Sequence, residues 1–195
     1  MADIQQSKML TEIVRATSTT EVLKTIARFF NRQIIVRNVE ATGAHASSKL
    51  TFYIPRPEFE VPIAAALTAV ATALYLPVDT AGGHVCRGHT LSTDDFVLIP
   101  TSTGLAIRAI TNVADDAGED YCHVTIAATG LALLISTKVF VVRAADVFDL
   151  TVGNTSITRD DLFAGFAGCP IVVSATSGDA TDTSALVNME LREVV

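Results

Sequence analysis

Between Gly88 and Ala145 the chain is cut into short β-branched runs, each bounded by Gly, Asp, Asn or Ser at nearly regular intervals. The run around Phe96-Val97, the run Ala109-Ile110-Thr111-Asn112-Val113, the run Tyr121-Cys122-His123-Val124-Thr125-Ile126 and the run Lys138-Val139-Phe140-Val141-Val142-Arg143 follow one another in this way. Such spacing constrains the segment to a small antiparallel β-module, a sandwich or a partly closed barrel. It carries no evident chemistry, so a role in binding or building is expected rather than catalysis.

The order of motifs within this stretch resembles the β-module of head decoration and head-fibre proteins of tailed phages. The matching pieces are Gly88-His89-Thr90, Asp94-Asp95-Phe96-Val97, Ala109-Ile110-Thr111-Asn112-Val113, Cys122-His123-Val124-Thr125-Ile126 and Thr137-Lys138-Val139-Phe140 followed by Arg143-Ala144. Ser136 stands where that module usually has glycine. The resemblance covers the middle third of the chain. It implies a structural virion protein that decorates or cements a capsid by binding the major capsid protein and sister subunits. It also implies a homo-oligomer, with a trimer favoured, located at the capsid surface after assembly in the host cytoplasm.

Composition agrees with extensive burial: 49% of the 195 residues are hydrophobic and only 18% are charged, a balance that disfavours disorder. The net charge of −7 argues against nucleic acid as a partner, because phosphate neutralisation needs clustered Lys and Arg. The densest basic group, Arg28, Arg32 and Arg37, is weak for that purpose. No basic segment followed by an apolar run opens the chain, so no signal peptide is read. The apolar run from Ile63 to Leu76, between Pro62 and Pro77, is too short to span a bilayer, and no membrane partner is expected. Three widely spaced cysteines, Cys86, Cys122 and Cys169, point to reduced thiols rather than a disulfide framework.

The coarse reading is a mainly β chain with an N-terminal helical segment. Leu10, Ile13 and Val14 have helical spacing, and so do Val22, Ile26 and Phe30, with Ser18 and Glu21 in capping-box form between them. Expected strands are Ile34–Val39, Leu50–Ile54, Phe96–Ile99, Leu105–Val113, Tyr121–Ala127, Lys138–Arg143, Phe148–Val152, Ile171–Ser174 and Leu186–Val195. Pro55, Pro57 and Pro62 are expected to exclude regular structure around them. Ile63, Leu67, Val70 and Leu74 favour a helix over an extended arm, Asp160–Phe166 is read as a helical turn or loop, and Ser174–Ser184 as an exposed loop. The expected organisation is an N-terminal helical arm over 1–33, a strand pair with a Pro/Ala-rich docking segment over 34–84, and a β-module over 85–195.

His84, Cys86 and His89, with Cys122 and His123, are the ligand types closest together in sequence. A tetrahedral zinc site or a Cys-His nucleophile pair is the chemistry they would serve, as the alternative to a structural role. Their spacing matches no finger, no orienting Asn or Asp is placed beside them, and buried packing cysteines are the commoner outcome. The acidic pairs Asp94-Asp95, Asp115-Asp116, Glu119-Asp120 and Asp160-Asp161 are read as solvated turn residues that guard strand edges. No phosphate loop and no nucleophile elbow occurs. No catalytic, cofactor or metal residue is therefore assigned. The partner-interface candidates are Leu10, Ile13, Val14, Val22, Ile26, Phe30, Ile63, Leu67, Val70 and Leu74, the last four being core residues on the ordinary reading. Another virion part, such as a capsid or tail subunit, is the neighbouring alternative.

Overall fold

Alternation, not helical spacing, decides the N-terminal segment. In the computed structural model, which describes residues 8–17, 21–26, 32–43, 48–101, 104–150, 155–165, 171–177 and 183–193, the chain begins with strand β1 (Lys8–Ala16) and continues with β2 (Val22–Ile26). Neither expected N-terminal helix occurs among the described residues. Leu10, Val14 and Ala16 also fit a period of two, and pairing with a long partner strand selects that period. Val14 and Ala16 are buried while Met9 and Ile13 are exposed. Ser18 and Phe30 lie outside the described residues, and the Glu21 carboxylate accepts a hydrogen bond from Ser174 Oγ instead of capping a helix.

Two compact units divide the chain: residues 1–57 with 144–195, and residues 58–143. The first unit contains β1, β2, β3 (Arg32–Gly43), the first part of β4 (Ser48–Pro62), the last part of β12 (Lys138–Leu150), β13 (Thr155–Ala164), β14 (Ile171–Thr176) and β15 (Thr183–Glu193). One sheet has the order β1-β15-β3-β13, and the other contains β2-β14-β4-β12. Of these eight strands the first pairs with the last, the second with the seventh, the third with the sixth and the fourth with the fifth. This is one long hairpin rolled into two sheets, the double Greek key of a jelly roll. Inward residues of both sheets form one core, among them Val36, Phe52, Phe148, Val173 and Val187.

Four further expectations change here. The first is the exposed loop over Ser174–Ser184: β14 runs to Thr176, β15 begins at Thr183, Ser174, Ser177 and Thr183 are buried, and 178–182 lie outside the described residues. β4 runs through Pro55 and Pro57 as far as Pro62, although prolines were expected to break it. The register of β4 with β14 ends at Tyr53, so no β14 carbonyl loses a donor at Pro55 or Pro57, which have no N–H. Asp160–Phe166 is no helical turn: β13 carries it to Ala164, with an irregularity between Asp160 and Phe163 where the register to β3 shifts. The two strands expected over Lys138–Arg143 and Phe148–Val152 merge in the single β12, which ends at Leu150.

Gly43, at the end of β3, faces Thr155 on one side and Thr183 on the other. A Cβ there would stand 2.8 Å from Ser48 Cβ and 2.9 Å from Leu150 Cβ. Gly43→Ala is expected to cost about 2 kcal/mol through overpacking, read as a lower urea midpoint at unchanged m-value.

The second unit holds β5 (Ala73–Pro77), β6 (Val85–Cys86), β7 (His89–Thr90), β8 (Asp95–Thr101), β9 (Gly104–Ala109), β10 (Asn112–Asp115), β11 (Tyr121–Thr125) and the adjoining ends of β4 and β12. β10-β11-β5 form one sheet, β12, β8 and β9 are successive neighbours in another, and β6 and β7 form a hairpin. Ile63–Leu76 is not a helix. Its backbone pairs outward, with Leu67 N–H donating to Leu133 O (2.9 Å) and Ile63 N–H to Thr137 O (2.9 Å), before entering β5. Ile63, Leu67, Leu74 and Leu76 are buried in this unit's core, so burial among strands overrides the alanines' helix propensity. Described residues contain no helix, hence none long and apolar enough to cross a membrane.

Candidate functional site

The chemistry-bearing side chains gather in the second unit. Its β6–β7 hairpin turns on Arg87 and Gly88, both with positive φ (49° and 77°), the signature of a type I′ turn. Arginine is an unusual choice at the first of these positions. The Asp79 carboxylate compensates: Oδ1 accepts from the Arg87 N–H (2.7 Å) and Oδ2 from the Gly88 N–H (2.6 Å). The hairpin places Cys86 opposite His89.

Each histidine of the unit meets a carboxylate. His84 Nδ1 lies 2.9 Å from Asp115 Oδ1, His123 Nδ1 3.2 Å from Asp116 Oδ2, and His89 Nε2 3.1 Å from Asp95 Oδ2. Thus Asp115, the last residue of β10, and Asp116, which follows it, divide between two histidines. The turn-residue reading of Asp94-Asp95 holds for Asp94, which is exposed, and fails for Asp95, which is completely buried. Asp95 Oδ1 accepts from Arg143 Nε (2.6 Å), and Oδ2 accepts from the Ser92 N–H (2.9 Å). Arg143 faces Asp95 because β8 and β12 pair in that register. Sequence reading missed this pair. Its one signal is a lone arginine closing a run of apolar strand residues.

Cys86 and Cys122 are buried, and burial pushes both thiols up from 9.0 to about 11. A thiol held there is not a thiolate nucleophile at neutral pH. The described residues contain no group of three or more His, Cys, Asp or Glu side chains arranged to hold a metal ion. Cys169 lies outside the described residues. Neither Cys86 nor Cys122 should react with iodoacetamide in the native protein near neutral pH, and both should react in denaturant, as peptide mass mapping reads. The same shift has a stability consequence. A folded pKa above the unfolded one favours the native state at lower pH, so this contribution declines as pH rises from about 9 to about 11.

The interface candidates divide between core and surface. Val14 in the first unit and Ile63, Leu67 and Leu74 in the second are core residues. Leu10 is half-buried against the first core. Ile13 and Val22 are exposed on β1 and β2, and Val70 is 82% exposed in the second unit. Ile26 closes β2, and Phe30 lies outside the described residues. Two aliphatics more than half exposed were not singled out from the sequence, Leu134 and Ile135, at 77% and 62%. They occupy the first half of a turn closed by Thr137 N–H donating to Leu134 O (3.0 Å). Ser136 in that turn has φ 69°, the left-handed conformation that suits the glycine expected there.

No protein-family model matches the chain, and no curated protein matches it. Among solved structures it is similar to VP17, a capsid protein of bacteriophage P23-77, at 9% identity and a TM-score of 0.24, over 97% of this chain and 98% of that one. The superposition is too loose for roles to transfer from it.

Proposed function

We propose that this protein is a structural, non-enzymatic component of a virion that takes its place in the capsid shell through its jelly roll. The observation that carries this reading is the strand order of the first unit, β1-β15-β3-β13 against β2-β14-β4-β12. That arrangement is used by viral capsid subunits, and also by lectins and cupins, so the argument is one of fold analogy. Side-chain chemistry agrees with it. The three histidines of the second unit are bound to carboxylates and its two cysteines are protonated, which leaves a binding or building role as the simplest use of the molecule. Its partners on this reading are other capsid subunits, including its own copies, with neither nucleic acid nor membrane required.

One observation favours a second reading, decoration of a shell made by a major capsid protein. The stretch resembling decoration modules falls almost wholly within the second unit, residues 58–143.

Particle analysis separates the two. A shell subunit should be present in purified particles at a copy number comparable with the most abundant protein, and particles should not form when its gene is disrupted. Intact shells that form without the protein would replace the shell role by decoration. Absence of the protein from particles would overturn both.

A further inference from the structure

We infer that the outward face formed by residues 64–70 and 130–136 of the second unit is a self-association surface that docks on a second copy of this chain. The inference rests on the reading that copies of the protein assemble. Backbone pairing makes these two segments one ribbon: Leu67 N–H donates to Leu133 O (2.9 Å), Leu133 N–H to Leu67 O (2.8 Å) and Gly130 N–H to Ala69 O (3.0 Å). Leu67 and Leu133 point into the core, so their neighbours Ala66 and Leu134 present the opposite, outward face, and Val70 follows at the far end. Val70, Leu134 and Ile135 are the three most exposed large aliphatics of the second unit, at 82%, 77% and 62%. The other outward or turn residues of the two segments are chiefly alanine, with Thr68, Gly130 and Ser136, small enough to let another surface approach closely.

Charge selects the occupant. From Val61 to Val78, and from Val124 to Thr137, no residue is ionisable except Tyr75, whereas the whole chain carries −7. A contact between two copies brings the same patch, or patches of the same acidic molecule, face to face. Acidic surface resists that approach. This ribbon meets its own copy without like-charge repulsion and buries aliphatic side chains that water otherwise surrounds. Turn tips ordinarily carry polar residues, so Leu134 and Ile135 at the start of a turn gain nothing locally from being aliphatic.

Sedimentation velocity on the purified full-length chain, over the micromolar range, tests the surface without any particle. The wild type should self-associate with rising concentration. Leu134→Asp/Ile135→Asp, and separately Val70→Lys on the other segment, should keep the wild-type circular dichroism spectrum and weaken association by about a hundredfold, as charge in a desolvated contact does. A wild type that is monomeric throughout overturns the proposal, and so does undiminished association of both variants. Flotation with neutral phosphatidylcholine vesicles is the remaining arm: wild-type flotation lost in the variants would assign the face to a lipid surface and overturn the proposal. A virion role is read separately, from the composition of particles, so either conclusion can fail alone.

Discussion

Phe52→Ala will destabilise the jelly roll by about 4 kcal/mol, the usual cost of removing a large ring from a closed core. Phe52 is fully buried on β4. Its ring centroid lies 5.7 Å from that of Phe148 on β12 and 5.4 Å from that of Phe163 on β13, tilted at 59° and 65°. Phe148 is itself covered by the Arg159 guanidinium, 4.6 Å from its centroid, and Arg159 Nη1 is held by Asp146 Oδ1 at 2.8 Å. Truncation therefore loses hydrophobic burial and two ring contacts, one tilted and one edge-on, and leaves a cavity walled by paired strands. Phe52→Leu keeps most of the volume and should cost about 1.5 kcal/mol. Urea unfolding measures both. A loss below about 1 kcal/mol for the alanine variant would show that the three rings do not form one packed cluster.

The second large effect lies in the other unit and has an asymmetry that identifies its cause. Arg143→Ala should cost about 3 kcal/mol, because it leaves the Asp95 carboxylate buried without its main counter-charge. Asp95→Ala should cost less, about 2 kcal/mol, because Arg143 is half exposed and its guanidinium can rehydrate once released. The double variant should be no worse than Arg143→Ala alone, since it removes the buried charge that makes the loss of Arg143 costly. Strictly additive losses would show that the two residues act on stability separately.

Sequence reading succeeded where local signals and tertiary demands coincide. The runs around Phe96, Tyr121 and Lys138 are β-branched, bounded by turn residues, and strands in the fold. It failed where one pattern fits two periods. Leu10, Ile13 and Val14 satisfy a helix, yet Leu10, Val14 and Ala16 satisfy a strand, and only the presence of β15 as a partner decides between them. Alanine between Ile63 and Leu76 favoured a helix for the same reason: intrinsic propensity is visible locally, whereas pairing with Leu133 and Thr137, far along the chain, is not. Asp95 is the clearest case within the site. Its arginine partner is 48 residues away, and the local bonds from Ser92 and His89 do not by themselves mark which of Asp94 and Asp95 is buried. Leu134 and Ile135 sat in plain view as apolar residues, but only the turn geometry shows that they face water.

The rolled hairpin has a consequence for the order in which the molecule can form. Pairing β1 with β15 joins the two ends of the chain, the most expensive loop to close. The second unit, by contrast, is continuous in sequence, and its paired strands β8–β9 and β10–β11 lie close together along the chain. In sequence it falls between the first-unit parts of β4 and β12, the central pair of the hairpin. Its early formation would shorten the effective loop between those two strands, after which β3 with β13, β2 with β14 and β1 with β15 can zip outward in turn, each closure made cheaper by the one before. Pulse-labelled hydrogen exchange during refolding should accordingly protect Val97 and Val124 before Val36 and Val187. In kinetic terms residues 58–143 order first, and β1 and β15 pair last.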